Sequence, residues 1–323
     1  MSINSSNPIF FIHVPKTAGT SFRKSAEKFF GLGHVLYDYN TYSAETSDVI
    51  KDVVYDKKDF FLLDEVFSDN GCEFLSGHVP ASKYVQFFGV ANSVTFLRDP
   101  LQRIISEYYH FLRHHDYEGD LPSFYRKPQF INRQSRMLQG PAMEALGFVG
   151  ITEEYDASLE QINAAYGIDL RAQVLNQGRE SQDKGYDVPK QQLQEMRELN
   201  KTDMTLYDRA VELHRTRYEL FLQKKPYVHG VVQQLGSDGV SGWAWYAQGD
   251  RRPVVVEIKV DGEPVGVANA ADLRPGLLRF SAPRLGHVGF RFDFKSPLKQ
   301  GAEVSVVVAE TGQVIATKKV KAA

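Results

Sequence analysis

Ile9-Phe-Phe-Ile-His-Val14 runs directly into Pro15-Lys-Thr-Ala-Gly-Thr-Ser21, and this junction decides the fold of the first half of the chain. The apolar run has strand length. Beyond it Phe22, Ala26, Phe29 and Phe30 recur at helical spacing up to Gly31, which predicts a helix over 20–30. A buried strand that turns through a small-residue loop into a helix leaves the helix's first-turn amides facing the loop, a ready place for an anion. Within the loop Gly19 permits close approach. Thr17, Thr20 and Ser21 offer hydroxyls, and Lys16 adds a mobile positive charge. The Walker spacing G-x-x-x-x-G-K-[ST] is not met, because Lys16 precedes the loop's glycine instead of following one. Alone, the same turn also fits an ordinary strand-to-helix connection.

At 323 residues the chain has room for two domains, since single cores seldom grow beyond ~250–300 residues. A hydrophobic fraction of 42% with 24% charged residues is that of an ordinary globular protein, so no disordered tract is expected. Lys and Arg number 38 against 40 Asp and Glu, leaving no bulk field to hold nucleic acid, and any anion site has to be local. The one cysteine, Cys72, excludes an internal disulfide and a cysteine zinc cluster. The opening Met-Ser-Ile-Asn-Ser-Ser-Asn-Pro has neither a basic nor an apolar leader region, and no later stretch reaches the ~20 apolar residues of a membrane span. A cytoplasmic chain without an integral membrane segment is expected.

Up to about residue 225, short apolar runs alternate with helical patterns: 9–14, a helix over 20–30, 73–76, 94–97, a helix from Pro100, 147–152, a helix through Leu159 and Ile162, and a helix over 203–222. This rhythm predicts an α/β domain with a P-loop-like parallel sheet flanked by helices. The stretch 116–140 reads as irregular. After Lys224-Lys-Pro226 the texture becomes β-rich, with strands predicted at 253–260, 264–268, 290–294, 304–309 and 314–320. The tight turns Asp261-Gly262 and Thr311-Gly312 separate them, so an all-β sandwich is expected over 226–323, following a first domain over 1–225.

A second charged corner follows Val94-Thr-Phe-Leu97. Asp99 suits an N-cap, Pro100 the first helical position and Gln102 the third. On this helix Leu101, Ile105 and Tyr109, together with Ile104, Tyr108 and Leu112, are spaced to face the core. Asp99, Arg103, Ser106 and His110 form a polar stripe of the kind that is usually solvated. Arg98 stands where a parallel strand delivers side chains to a ligand crevice, and with Ser106 it can grip one phosphate.

Taken together, His13-Val-Pro-Lys-Thr-Ala-Gly-Thr-Ser21 and Arg98-Asp-Pro-Leu-Gln-Arg-Ile-Ile-Ser-Glu-Tyr108 resemble the two signature segments of the family-2 sulfotransferases, the group that includes heparan sulfate 2-O-sulfotransferases and bacterial relatives. The resemblance spans roughly residues 8–222 and extends to Ser76-Gly-His-Val79, Asn132-x-Gln134-x-Arg136-x-Leu138 and Gly150-Ile-Thr-Glu-Glu154. It implies 3′-phosphoadenosine 5′-phosphosulfate (PAPS) as donor and adenosine 3′,5′-bisphosphate as product. The 5′-phosphosulfate would lie on Pro15, Lys16, Thr17, Ala18, Gly19, Thr20 and Ser21, and the 3′-phosphate on Arg98 and Ser106. It also implies a hydroxyl-bearing acceptor, most simply a carbohydrate, and no metal. Sulfuryl transfer needs charge stabilisation on the leaving phosphate, a task for Lys16, and a proton acceptor, a task for His78. Where animal members read His-Gly-His, this chain has Ser76-Gly-His78, so only His78 carries over, with Glu65 as a spare base. Asn132 and Arg136 belong to the adenine or the acceptor side, and Arg113 and Arg126 are placed to meet an acceptor. His13 is expected to pack, and His114 and His115 to lie on the surface.

The C-terminal segments Gly242-Trp-Ala-Trp245, Val260-Asp-Gly262 and Gly289-Phe-Arg-Phe292 resemble a sandwich module attached to some bacterial glycosyltransferases and sulfotransferases. Its tryptophans are expected to fill a core, with a glycan platform as the alternative. Asp272-Leu-Arg274 and Arg284 either pin loops or touch an acceptor. Two other classes stay open: a non-catalytic glycan-binding protein on a transferase scaffold, and a nucleotide-dependent kinase or NTPase.

Overall fold

A computed structural model of the chain describes residues 8–172, 188–247 and 249–321; the opening seven residues, read above for a leader, lie outside these. Strand β1 (Ile9–Ile12) is buried at every position, as a continuous apolar run requires of a central parallel strand. Helix α1 (Gly19–Phe30) follows it and stops at Gly31, whose φ of 86° suits glycine. Phe22 and Ala26 are buried as the spacing requires, but Phe29 is left exposed.

The chain then adds β2 (Val35–Asp38), a short α2 (Asp48–Ile50) that widens into a π turn, α3 (Leu62–Asp69) and β3 (Phe74–Gly77). After these come α4 (Val85–Phe88), β4 (Ser93–Leu97), α5 (Pro100–His114), the short α6 (Leu121–Tyr125) and α7 (Arg133–Met137), and β5 (Phe148–Ile151). Among the described residues α8 (Tyr155–Tyr166), α9 (Lys190–Leu199) and α10 (Lys201–Leu222) follow. The strands are parallel in the order β2-β3-β1-β4-β5. Alternation along β1 sends Phe10 and Ile12 into a cluster on one face with Leu75 and Leu97, and Ile9 and Phe11 into a cluster on the other with Phe74 and Phe96.

The β-rich segment forms two four-stranded antiparallel sheets packed as a sandwich. One contains β6 (Val228–Leu235), β7 (Gly239–Tyr246), β10 (Asp272–Leu273) and β11 (His287–Asp293). The other contains β8 (Val254–Val260), β9 (Glu263–Ala270), β12 (Glu303–Val308) and β13 (Val314–Lys319). Asp261 and Gly262, at φ 50° and 89°, make the two-residue hairpin that the sequence announces. Arg274 donates to the Phe290 carbonyl and Arg284 to the Ala270 carbonyl, so both arginines pin loops.

The tryptophans are buried, but not in the sandwich core. Trp243 and Trp245 stack at 4.4 Å and pack with Val288 and Phe280 against Val85, Val90 and Ala145 of the α/β domain. This seat between the two parts also carries backbone and side-chain bonds, from Val90 N to the Phe280 carbonyl and from Ser281 Oγ to the Gln86 carbonyl.

Candidate active site

Strands β3, β1 and β4 are neighbours, and Ile12 pairs with Gly77 on one side and Thr95 on the other. The residues that leave their carboxyl ends, 13–18, 78 and 98, therefore emerge within two strand spacings, roughly 10 Å, of one another. Lys16 and Ala18 both take left-handed backbone conformations, with φ 69° and 62°. Such reversals turn successive N–H groups inward, and each costs about 1–3 kcal/mol in a non-glycine residue. No side chain caps α1; Ser21 N–H donates to the Ala18 carbonyl at 3.0 Å, which leaves the amides of Gly19 and Thr20 and the positive end of a 12-residue helix to the loop's interior.

The loop differs from the sequence reading in one donor. Thr17 is fully buried and its hydroxyl donates to the Val14 carbonyl at 2.8 Å, so it holds the loop closed, while Thr20 is exposed and Ser21 half-buried. Gly19 is also explained differently. A β carbon there would collide with the His13 ring, so this glycine serves packing inside the protein as well as open backbone.

Arg98 meets the loop directly: its Nη1 donates to the Lys16 carbonyl at 3.3 Å. Its own backbone is clamped by Gln134, whose Oε1 accepts from Arg98 N at 3.0 Å and whose Nε2 donates to the Arg98 carbonyl at 2.9 Å. Gln134 is fully buried and is held in turn by Asp203, which also accepts from Ser135 N and Oγ. Asn132 belongs to this scaffold. Its Oδ1 accepts from Asp203 N and its Nδ2 donates to the Leu199 carbonyl, so its amide is used in seating Arg98. Arg136 is exposed and donates to the Gln129 carbonyl, and Arg126 forms a two-bond pair with Glu195 at 2.6 and 2.8 Å.

Helix α5 caps as its sequence foretells, Asp99 accepting from Gln102 N at 2.8 Å. Its polar stripe does not lie in solvent. Arg103 is fully buried and donates to Glu107 at 2.6 Å; the buried Glu107 also receives Arg133, while Tyr109 and Leu112 are the partly exposed residues. The physical reason is pairing, since two guanidiniums on one carboxylate let charge enter the interior. Ser106 is buried beside them, and among the described residues its hydroxyl has no hydrogen-bond partner.

Burial, then Arg113 and Arg98, press the Lys16 ammonium below its ordinary range, against the pull of Glu107. Lys16 thus stands in a field that Arg113 and Arg98 make more positive, which favours an anion near its ammonium. His110, one turn beyond Ser106, is pushed down to about 4 by burial and then Lys16.

His78 follows β3, its N–H donating to the Asp38 carbonyl at 3.1 Å. His78 is exposed to solvent, with protein packed on one side of it: the His13 ring lies 4.4 Å away and the Tyr39 ring 4.7 Å. Loss of water on that packed side, then Arg133 and Arg23, lowers its imidazole to about 3. Glu65 is exposed on α3. His114 and His115 are exposed at the end of α5.

The residues that sequence reading missed are Arg133, Glu107, Gln134 as a clamp, and the pair Tyr39 and Arg23. Only Gln134 carried a signal, as a member of the Asn132-x-Gln134 segment. Among the described residues no group of three or more His, Cys, Asp or Glu side chains is placed to hold a metal, and no helix is long and apolar enough to cross a membrane.

No curated protein and no solved structure matches the chain. Residues 1–145, which contain the loop, His78, Arg98 and Ser106, do match the family model described as "Sulfotransferase family" (Sulfotransfer_2). Residues 1–145 of this chain are thus similar to the family-2 sulfotransferases.

Proposed function

We propose that the protein transfers a sulfuryl group from PAPS to a hydroxyl of a carbohydrate acceptor by in-line displacement. The observation that carries this reading is the contact between Arg98 and the Lys16 carbonyl, which joins the two basic segments into one recess with His78 on the adjoining strand end. The residues present suit the donor. Uncapped α1 amides, Lys16, Thr20 and Ser21 receive the 5′-phosphosulfate, and Arg98 with the unpartnered Ser106 hydroxyl receives the 3′-phosphate.

In the reaction the acceptor oxygen forms a bond to sulfur as the bond from sulfur to the phosphate oxygen breaks, and adenosine 3′,5′-bisphosphate leaves. The hydroxyl proton passes to His78. Negative charge grows on the departing oxygen, where Lys16 and the helix amides stabilise it. Desolvation, then Arg133 and Arg23, makes His78 a weak base. A bound anionic donor offsets those cations and raises the imidazole toward the range in which a base is effective.

The test is transfer of labelled sulfate from PAPS to a panel of polysaccharides, glycolipids and simple alcohols, with ATP and magnesium in parallel. Label on a carbohydrate hydroxyl is expected. Tight bisphosphate binding with no transfer to any acceptor would favour the binding-protein reading, and turnover of ATP alone would favour the kinase reading.

A further inference from the structure

His13 has no part in the chemistry just proposed, yet it touches both of its halves. Its Nδ1 lies 2.9 Å from the Tyr39 hydroxyl, which in turn lies 3.2 Å from Ser76 Oγ. One edge meets the His78 ring at 4.4 Å with the planes at 66°. The Cδ2–Nε2 edge lies against Gly19, the first residue of α1, so closely that no β carbon fits there. Phe11 stacks on the ring at 5.3 Å. The imidazole is thus wedged between the helix start that presents the loop amides and the histidine proposed as base.

We propose that His13 is a positioning residue, which fixes the orientation of His78 relative to the donor loop and is itself oriented by the Tyr39 hydroxyl. The proposal rests on the reading of His78 as base. The physical case is one of close packing. Thr17 and the α1 helix hold the loop independently, but the His78 ring is flanked on its protein side by His13 and Tyr39. A ring that is free to tilt loses the geometry of proton transfer, and misplacement by about 1 Å is worth roughly 100-fold in rate. His13 stays neutral, since burial, then His78, Arg23 and Lys16, hold it well below the ordinary histidine range. It therefore fills space and makes one hydrogen bond without competing for the proton.

Two measurements test this, one of them independent of turnover. The titration of the His78 Cε1 proton is followed by NMR, assigned by its loss in His78→Gln. Alongside it, kcat and KM for PAPS are measured in His13→Asn, His13→Phe and Tyr39→Phe. In His13→Asn, which removes most of the wedge, kcat should fall about 100-fold with KM for PAPS changed less than about threefold. The His78 titration should move up from about 3 as water replaces the ring, with Arg133, Arg23 and Tyr39 still facing it. His13→Phe, which keeps the ring, should restore most of kcat. If His13→Asn does not fold, Tyr39→Phe, which removes only a hydroxyl, should move the titration in the same direction by less. An unmoved His78 titration in the variants, or a parallel loss of kcat and PAPS affinity that His13→Phe shares, overturns the proposal. Wild-type protein without any transfer, but with the expected titration shifts, would instead sink the functional reading.

Discussion

The seat between the two domains carries a pH dependence that can be worked from one residue. His229 is 4% exposed, its Nδ1 lies 2.9 Å from the Glu144 carbonyl, and its ring stacks on Trp245. The carbonyl can only accept, so the neutral ring carries its proton on Nδ1. Burial, then Arg217, lowers this imidazole to about 3. Because the folded value lies below the unfolded one of about 6.5, the unfolded chain binds the proton first as pH falls. The stabilisation is complete above about pH 6.5 and is lost progressively toward pH 3. At pH 5 protonation favours the unfolded imidazole by about 2 kcal/mol, with almost no counterpart in the folded state. The perturbation is His229→Phe, which keeps a ring against Trp245 and removes the titrating group. Losing the hydrogen bond costs the variant about 1 kcal/mol at every pH, so the informative quantity is the difference between pH 7 and pH 5. Trp243 and Trp245 are the chain's two tryptophans and both lie in the seat, so urea unfolding followed by their fluorescence reports on it directly. Wild type should lose about 2 kcal/mol more than the variant between the two pH values. Equal losses would refute the argument and place the acid sensitivity elsewhere.

Four further outcomes are expected. Lys16→Ala and His78→Ala should each lower kcat by two orders of magnitude or more. Arg98→Ala should chiefly weaken adenosine 3′,5′-bisphosphate binding by about 10- to 100-fold, as loss of a charged hydrogen bond of roughly 1.5–3 kcal/mol requires; calorimetry at fixed salt separates the two effects. Glu107→Ala leaves two guanidiniums, one of them fully buried, without their carboxylate, a loss of about 3–5 kcal/mol that should lower the thermal midpoint by about 10 °C in calorimetry. Truncation after residue 226 uncovers Val85, Val90 and Ala145, so the shortened protein should be markedly less stable and prone to associate; an unchanged urea midpoint would show that the seat contributes nothing to the α/β domain.

What could be read from the sequence was local. The 9–14 run gave a central strand, Asp99, Pro100 and Gln102 gave a capped helix start, and Asp261-Gly262 gave a hairpin, because in each case the deciding contact lies within a few residues. The stretch 116–140 holds only short helices, close to its irregular reading. What escaped depended on partners far along the chain. Arg103 looked solvated because helical spacing counts polar residues as outside. It is buried because Glu107 on its own helix and Arg133, 26 residues beyond Glu107, complete a charge cluster that no periodicity encodes. Thr17 looked like a ligand donor until the turn brought its hydroxyl onto Val14. The tryptophans were legible as core, but the core they fill is shared with Val85, Val90 and Ala145, and only the folded chain reveals that address. The same distinction orders the site itself. The groups proposed to meet the donor, Lys16, Ser21, Arg98 and Ser106, stand in two short segments that a reader can recognise. The groups that aim them, Gln134, Asp203, Glu107, Arg133 and His13 with Tyr39, are scattered across the domain, since a side chain can be oriented from any direction in which packing supplies a partner. A substitution in the first set should therefore change binding or chemistry with little effect on stability. One in the second set should change both, and that contrast, measured on Ser106→Ala against Gln134→Ala, distinguishes contact from support.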